Sequence, residues 1–201
     1  MKLYYSKGAC SLAVRIIINE LNIPCEYEAV NLKTKITETG ADFLTINPKG
    51  SVPTLLLDDK QVLTENGVIQ QYLADHYAGE KLLPLVPNMR RYRVLEWLNF
   101  VTTELHKGCS PLFNPEIPQE IKDKIFIPNL KRKFDFVENN LKDNTFLLGQ
   151  EFCLADGYLF VILNWLPSFK IDISVWPRMS IYFAALKNRE SIHKSLQQEG
   201  L

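Results

Sequence analysis

The chain has 201 residues, with 23 basic and 23 acidic side chains and a formal net charge of zero. This balance does not favour a protein that binds nucleic acid or adsorbs to anionic membranes, since both classes carry a basic excess. The N-terminal residues show no secretory signal pattern, and no apolar run approaches the ~18–20 residues needed to cross a bilayer. We therefore expect a cytoplasmic globular protein of one large or two small domains, with neither nucleic acid nor membrane as a partner.

Cysteine and histidine spacing argues against a structural metal or a disulfide framework. The four cysteines are Cys10, Cys25, Cys109 and Cys153. They show no CxxC spacing, and the three histidines show no HExxH spacing. Scattered cysteines of this kind are typical of a reducing compartment, and the sequence predicts no metal site.

The first 80 residues alternate between strand and helix patterns. The sequence predicts strands at 2–5, 25–32, 54–57 and 61–63, helices at 11–21, 42–46 and 65–77, and a polar loop at 33–40. A helix that joins the first two strands favours parallel pairing, and the hairpin at 58–60 adds an antiparallel edge. We expect a mixed four-stranded sheet with the chain order βαβαββα and helices on its faces.

The remaining residues are predicted to be helical. Residues 80–88 contain two prolines and have the composition of a linker, and no strand pattern follows it. Apolar periodicity predicts helices at 89–108, 119–141, 155–169, 176–186 and 191–198, and Pro128 is expected to kink or interrupt the second. The predicted organisation is an α/β domain at 1–79 followed by an all-helical domain at 89–201.

Cys10 stands at the predicted start of the first helix, two residues after Gly8. Unpaired backbone amides and the positive end of the helix dipole meet there, and both favour the reactive thiolate. A small cysteine packed under the turn is the alternative. Position alone leaves both interpretations open.

Two further stretches offer groups for a ligand. A cis bond at Val52–Pro53 would turn the Val52 backbone toward an added peptide strand, whereas a trans bond would only begin the next strand. Thr64 is the expected N-cap of the following helix, whose first amides can bind a carboxylate while Glu65 binds an ammonium group. The alternative is that Glu65 only complements the helix dipole.

The helix predicted at 89–108 carries a polar stripe opposite its apolar face. Its members are Glu96, Asn99, Thr103 and His106, at spacings of three, four and three residues. Most such stripes are solvated faces. Asn, Thr and His are nevertheless suited to specific hydrogen bonds, so a binding face remains the second interpretation.

Six short motifs occur in one order along the chain. They lie at residues 5–12 (YSKGACSL), 47–53 (NPKGSVP), 63–66 (LTEN), 96–99 (EWLN), 103–108 (TELHKG) and 152–156 (FCLAD). In this order they resemble the bacterial beta-class cytosolic glutathione transferases. The resemblance implies a thioredoxin-like N-terminal domain, an all-helical C-terminal domain that contributes the electrophile pocket, a homodimer, and glutathione as co-substrate.

The resemblance also implies residue roles. Cys10 lies beside the glutathione sulfur and can form a mixed disulfide with it, and His106 points toward the same sulfur, so both are catalytic candidates. The implied glutathione-binding residues are Cys10, Lys35, Val52, Pro53, Glu65, Asn66, Asn99, Thr103, Glu104, His106 and Lys107. The implied electrophile pocket contains Phe113, Trp165 and Phe169. Asn66 and Cys153 depart from the family, which generally has Ser at the first position and Ser or Thr at the second.

The leading functional hypothesis is conjugation of the glutathione thiolate to small hydrophobic electrophiles, a detoxification reaction. A second hypothesis is a glutathione-dependent thiol–disulfide oxidoreductase or peroxidase that uses Cys10; with one local cysteine it would be a monothiol enzyme. A third is a non-catalytic protein of the same fold that binds glutathione or another ligand. The sequence does not identify the electrophile.

Overall fold

The computed structural model describes residues 1–142 and 144–201. These residues form two compact units, one of Met1–Glu80 with Arg189–Leu201 and the other of Lys81–Asn188. The predicted second domain contains all residues from 89 to 201, whereas the last helix packs against the first helix of the first unit. Within the described residues, no helix combines the length and apolar character that a membrane span requires.

The first unit is an α/β layer. Its elements are β1 (Lys2–Tyr5), α1 (Ser11–Glu20), β2 (Glu26–Asn31), β3 (Ile36–Thr37), a 3₁₀ turn (Phe43–Thr45), β4 (Thr54–Leu56), β5 (Val62–Thr64), α2 (Asn66–His76) and the C-terminal α9 (Glu190–Glu199). The sheet has the order β3-β2-β1-β4-β5. The pairing β1–β2 is parallel and the pairings β1–β4 and β4–β5 are antiparallel, which confirms the predicted mixed sheet.

The sheet has five strands, and the predicted count of four is wrong. The polar segment 33–40 contains β3, which pairs antiparallel with β2 through Val30 and Thr37. Two residues are too few to show the alternation that identifies a strand. The polar residues around β3 have a loop-like composition, so the sequence does not predict this strand. The four strands that the sequence predicts are all present.

The second unit is helical. Its elements are α3 (Met89–Phe100), a π-helical segment (Val101–His106), α4 (Lys107–Phe113), α5 (Gln119–Ile121), a second π-helical segment (Lys122–Phe126), α6 (Ile127–Asn140), α7 (Leu154–Asn164), 3₁₀ turns (Leu166–Phe169 and Ile173–Val175) and α8 (Pro177–Lys187). The chain remains helical past Pro111 to Phe113, five residues beyond the predicted end.

Two prolines interrupt the regular helices, Pro128 where the sequence predicts it and Pro167 where it does not. Pro128 lies at the start of α6, directly after the second π-helical segment, where a missing backbone N–H breaks few helical hydrogen bonds. The predicted helix 155–169 ends as an α-helix at Asn164 and continues as a 3₁₀ turn, because Pro167 cannot donate to the preceding turn.

Asp156 caps α7 from within its first turn. Cys153 occupies the N-cap position, and its backbone N–H donates to Asp156 Oδ2 at 2.8 Å. The other oxygen, Oδ1, accepts from the Leu147 N–H at 2.9 Å and the Tyr182 hydroxyl at 2.8 Å. A thiol is a poor acceptor at an N-cap, so the carboxylate carries most of the capping.

Glu28, in β2, connects β1 to the turn that follows β3. Its buried carboxylate accepts hydrogen bonds from Lys2 Nζ at 2.9 Å and Thr39 Oγ1 at 2.5 Å. Burial raises the pKa of Glu28, but the hydrogen bonds from Thr39, Lys2 and Thr37 outweigh it and lower the pKa to about 2. The ionised carboxylate therefore stabilises the edge that β3 adds to the sheet.

We expect Glu28→Gln to destabilise the protein at pH 7 by about 3 kcal/mol or less, with the difference shrinking in acid. The folded-state pKa lies below the unfolded value, so the stabilisation is present above about pH 4.5 and is lost as the pH falls toward about 2. Urea unfolding of both proteins at pH 7, 5 and 3 measures the effect. A difference that stays constant with pH would contradict it.

Candidate active site

The turn between β1 and α1 places Cys10 at the start of a helix. Gly8 has a φ of 69°, which side chains disfavour, and the next amide, Ala9 N–H, donates to the Ser6 carbonyl at 3.0 Å. Cys10 is the half-buried N-cap of α1, and its Sγ lies 3.3 Å from the Val52 carbonyl oxygen, to which the thiol donates. The thiol therefore lies at the positive end of the helix dipole, where a thiolate is stabilised.

The loop at 47–53 brings Val52 to this thiol. The Val52–Pro53 bond is cis, the isomer that the resemblance implies. Asn47 Nδ2 crosses the loop and donates to Thr54 Oγ1 at 2.9 Å. Since Thr54 is the first residue of β4, this hydrogen bond ties the loop to the sheet and holds the Val52 carbonyl beside Cys10.

Lys35 and Glu65 both contact the same loop. Lys35 Nζ donates to the Gly50 carbonyl at 2.7 Å. Glu65, with a φ of 70°, is the N-cap of α2, and its exposed carboxylate pairs with Lys49 Nζ at 2.7 Å. The predicted N-cap, Thr64, is wrong, because that residue is still paired in β5.

Asn66 contacts Cys10 directly. Its Nδ2 donates to the Cys10 carbonyl at 2.7 Å, and its Oδ1 accepts from Gln70 Nε2 at 2.6 Å. The carbonyl can only accept, so these two contacts fix the orientation of the Asn66 amide. The side chain thus joins the start of α2 to the start of α1, and Gln70 is a member of the cluster that no sequence motif indicates.

His106, in the second unit, ends the π-helical segment that follows α3. Its Nδ1 lies 2.6 Å from the Tyr158 hydroxyl oxygen. Burial, and to a smaller extent the charge of Lys107, lowers the pKa of His106 to about 4, so the ring is neutral at pH 7. Tyr158 belongs to the largely apolar α7, whose sequence is typical of a core helix. No sequence pattern therefore predicts Tyr158 as the hydrogen-bond partner of His106.

The other predicted residues on this stretch lie at the surface of the second unit or close to it. Asn99, Thr103 and Lys107 are exposed. The Thr103 hydroxyl donates to the Asn99 carbonyl at 3.0 Å, and the Glu104 carboxylate pairs with Lys133 Nζ at 2.8 Å. These four residues thus share one stretch of the helical surface with His106.

The three predicted pocket aromatics are in contact. The ring centroids of Phe113 and Trp165 are 5.2 Å apart, and those of Phe113 and Phe169 are 4.7 Å apart. Trp165 also meets the His106 ring edge-on at 5.2 Å. Phe113 is half-exposed while the other two are buried, so the cluster presents one ring to an apolar ligand.

A separate apolar groove of about 540 Å³ lies elsewhere in the second unit. Trp97, Phe100 and Phe136 line it, together with Arg93 and Glu96, which pair with each other at 2.7 Å. The sequence predicts no pocket at these residues. Among the described residues, no group of three or more His, Cys, Asp or Glu side chains could hold a metal ion.

Comparison with known proteins matches both units. A family model described as "Glutathione S-transferase, N-terminal domain" matches residues 8–76, and "Glutathione S-transferase, C-terminal domain" matches residues 100–190. Glutathione S-transferase GstA of Escherichia coli O157:H7 is 41% identical over 201 residues, covering 100% of both chains.

Solved structures share the fold over the whole chain. A sphingomonad glutathione S-transferase complexed with glutathione is 37% identical with a TM-score of 0.95, covering 100% of both chains. The beta-class glutathione S-transferase of Sphingomonas chungbukensis is 39% identical with a TM-score of 0.95 over the same coverage.

We expect His106 to remain neutral until the pH falls to about 4, with Nδ1 accepting from Tyr158 and the proton on Nε2. Nitrogen NMR of labelled histidine measures both the titration and the tautomer. Tyr158→Phe should mix the tautomers, because Nδ1 loses this partner. An Nδ1–H tautomer in the unsubstituted protein would contradict the assignment.

Proposed function

The chain belongs to the glutathione S-transferase family, and we propose that it conjugates the thiolate of glutathione to small hydrophobic electrophiles. One observation carries the proposal at the level of atoms: the Cys10 thiol lies at the N-terminus of α1, and Asn66 Nδ2 holds this position by donating to the Cys10 carbonyl. A thiol ligand bound at this cluster would share the electrostatic environment that favours a thiolate.

Glutathione has chemical counterparts in the first unit. We propose that the Val52 backbone, next to Pro53, pairs with the cysteinyl part, and that Glu65 and the Asn66 amide bind the γ-glutamyl end. The Glu65–Lys49 ion pair is exposed, so exchanging Lys49 for the ligand's ammonium group costs little. The relative complexed with glutathione supports this class of ligand.

We propose that Lys35 binds the glycyl carboxylate of glutathione. Its hydrogen bond goes to a neutral carbonyl, that of Gly50, so this contact leaves the lysine charge available to an anion. The remaining proposed glutathione contacts are Asn99, Thr103, Glu104 and Lys107, from this chain or from a second subunit.

His106 is proposed as a hydrogen-bond donor to the glutathione sulfur. A helix terminus lowers a thiol pKa by at most about 1.5 units, so a further donor is needed for a mostly ionised thiol at neutral pH. A neutral imidazole with its proton on Nε2 supplies one. Phe113, Trp165 and Phe169 are proposed to bind the electrophile, since their clustered rings offer an apolar surface.

We also propose that the protein is a cytoplasmic homodimer that functions in detoxification. Dimers are typical of the family, and scattered cysteines without CxxC spacing are typical of a reducing compartment. Sedimentation equilibrium of the purified protein tests the dimer. Fractionation of cells that produce it tests the location.

The activity test compares conjugation with thiol exchange. We expect the unsubstituted protein to conjugate glutathione to an aryl halide, and Cys10→Ala to lose the reductant-sensitive glutathione adduct seen by mass spectrometry. His106→Ala should reduce conjugation by about 10- to 100-fold, the value of one hydrogen bond to a charged sulfur. Cys25→Ala, a second half-buried thiol, is the matched control and should change neither reading.

The outcomes separate the candidate functions. Glutathione-dependent reduction of a small mixed disulfide without conjugation would favour the thiol-redox function. Failure to conjugate combined with failure to bind immobilised glutathione would overturn the proposal and favour a non-catalytic role. If Cys10→Ala conjugates normally, Cys10 is a covalent neighbour of glutathione and His106 is the main activating group.

A further inference from the structure

The turn that presents Cys10 is held by a residue at the far end of the chain. The Gly8 N–H donates to Glu199 Oε2 at 2.8 Å, and 191 positions separate the two residues. Glu199 is the last residue of α9, which ends at Gly200 in the left-handed conformation. The carboxylate is buried, so the hydrogen bond forms away from solvent.

Arg15 holds that carboxylate in place. Its Nε donates to Glu199 Oε1 at 3.0 Å, and both side chains are almost fully buried, at 2% and 0% exposure. The guanidinium carbon lies 3.7 Å from the ring centroid of Tyr27 and 4.3 Å from that of Tyr5. Each carboxylate oxygen thus has its own donor, and the arginine is packed between two rings.

The geometry points to Glu199 as a positioning residue for the Cys10 turn. It joins Gly8, at the turn, to Arg15, which lies within α1, so one carboxylate sets the position of the turn relative to the helix that follows. This turn places the Cys10 thiol at the N-terminus of α1. The inference rests on the proposed role of Cys10, but no sequence motif and no proposed substrate contact includes Glu199.

Glu199→Gln tests the inference because it keeps the shape and removes one acceptor. An amide has one oxygen, so its NH₂ group must face either the Gly8 N–H or the Arg15 N–H, and one of the two hydrogen bonds is lost. The matched control is Arg189→Gln, which removes the ion pair of Arg189 with Glu20 at the opposite end of α9. Both variants weaken the attachment of α9 to α1, but only Glu199→Gln changes a contact of the Gly8 turn.

The experiment measures the rate at which iodoacetamide alkylates Cys10 as a function of pH. Peptide mass spectrometry follows the alkylation, and no glutathione is present. We expect Glu199→Gln to raise the midpoint of the alkylation-rate profile of Cys10 by about 0.5 to 1 pH unit. A helix terminus lowers a thiol pKa by at most about 1.5 units, which sets the upper limit of the effect. Arg189→Gln should leave the midpoint unchanged. Loss of a negative charge by itself would lower the midpoint, so the sign separates positioning from simple electrostatics.

Three results would overturn the inference. They are a lower midpoint in Glu199→Gln, an unchanged midpoint, and an equal rise in both variants, which would indicate general loosening of α9. If Glu199→Gln fails to fold, amide exchange in the unsubstituted protein decides: the Gly8 amide should be strongly protected, and exchange at the unprotected rate would refute the hydrogen bond. Because no glutathione is used, an absence of transferase activity would leave this test valid.

Discussion

Burial of α1 is the constraint on which the first unit depends. Residues 11–19 of this helix are all buried, with the sheet, α2 and α9 packed around it. A helix that is enclosed in this way cannot shift without disturbing all three neighbours, because protein interiors are close-packed. Its N-terminus is therefore a fixed point, and the thiol of Cys10 is attached to it.

Enclosing α1 also buries polar groups that must find partners. Arg15 pairs with Glu199, and Asn19 Nδ2 donates to Ser195 Oγ at 2.8 Å and to Gln198 Oε1 at 2.9 Å. A buried charge that loses its partner costs about 3–5 kcal/mol, so these contacts are strongly coupled to docking of α9. The C-terminal helix is for this reason part of the first unit, although it follows the helical unit in sequence.

Much of the fold is predictable from local patterns. Four strands, their mixed pairing and the helical second half follow from alternation, periodicity and turn residues. β3 is too short to show a period, Pro167 changes the helix type where the sequence predicts one continuous helix, and α9 packs against α1, which is distant in sequence. Each difference arises where packing or one missing N–H outweighs the local pattern.

For the candidate site, local patterns suffice to predict a cysteine after a glycine turn at a helix start, a strand after Val52–Pro53, and motifs in the order of one family. Three contacts emerge only in the folded chain: Asn66 donates to the Cys10 carbonyl, Tyr158 bonds to His106, and Glu199 accepts from the Gly8 N–H. The physical reason is that these contacts are single hydrogen bonds between distant residues. A hydrogen bond depends on tenths of an ångström in three dimensions, whereas sequence patterns record only spacing along the chain.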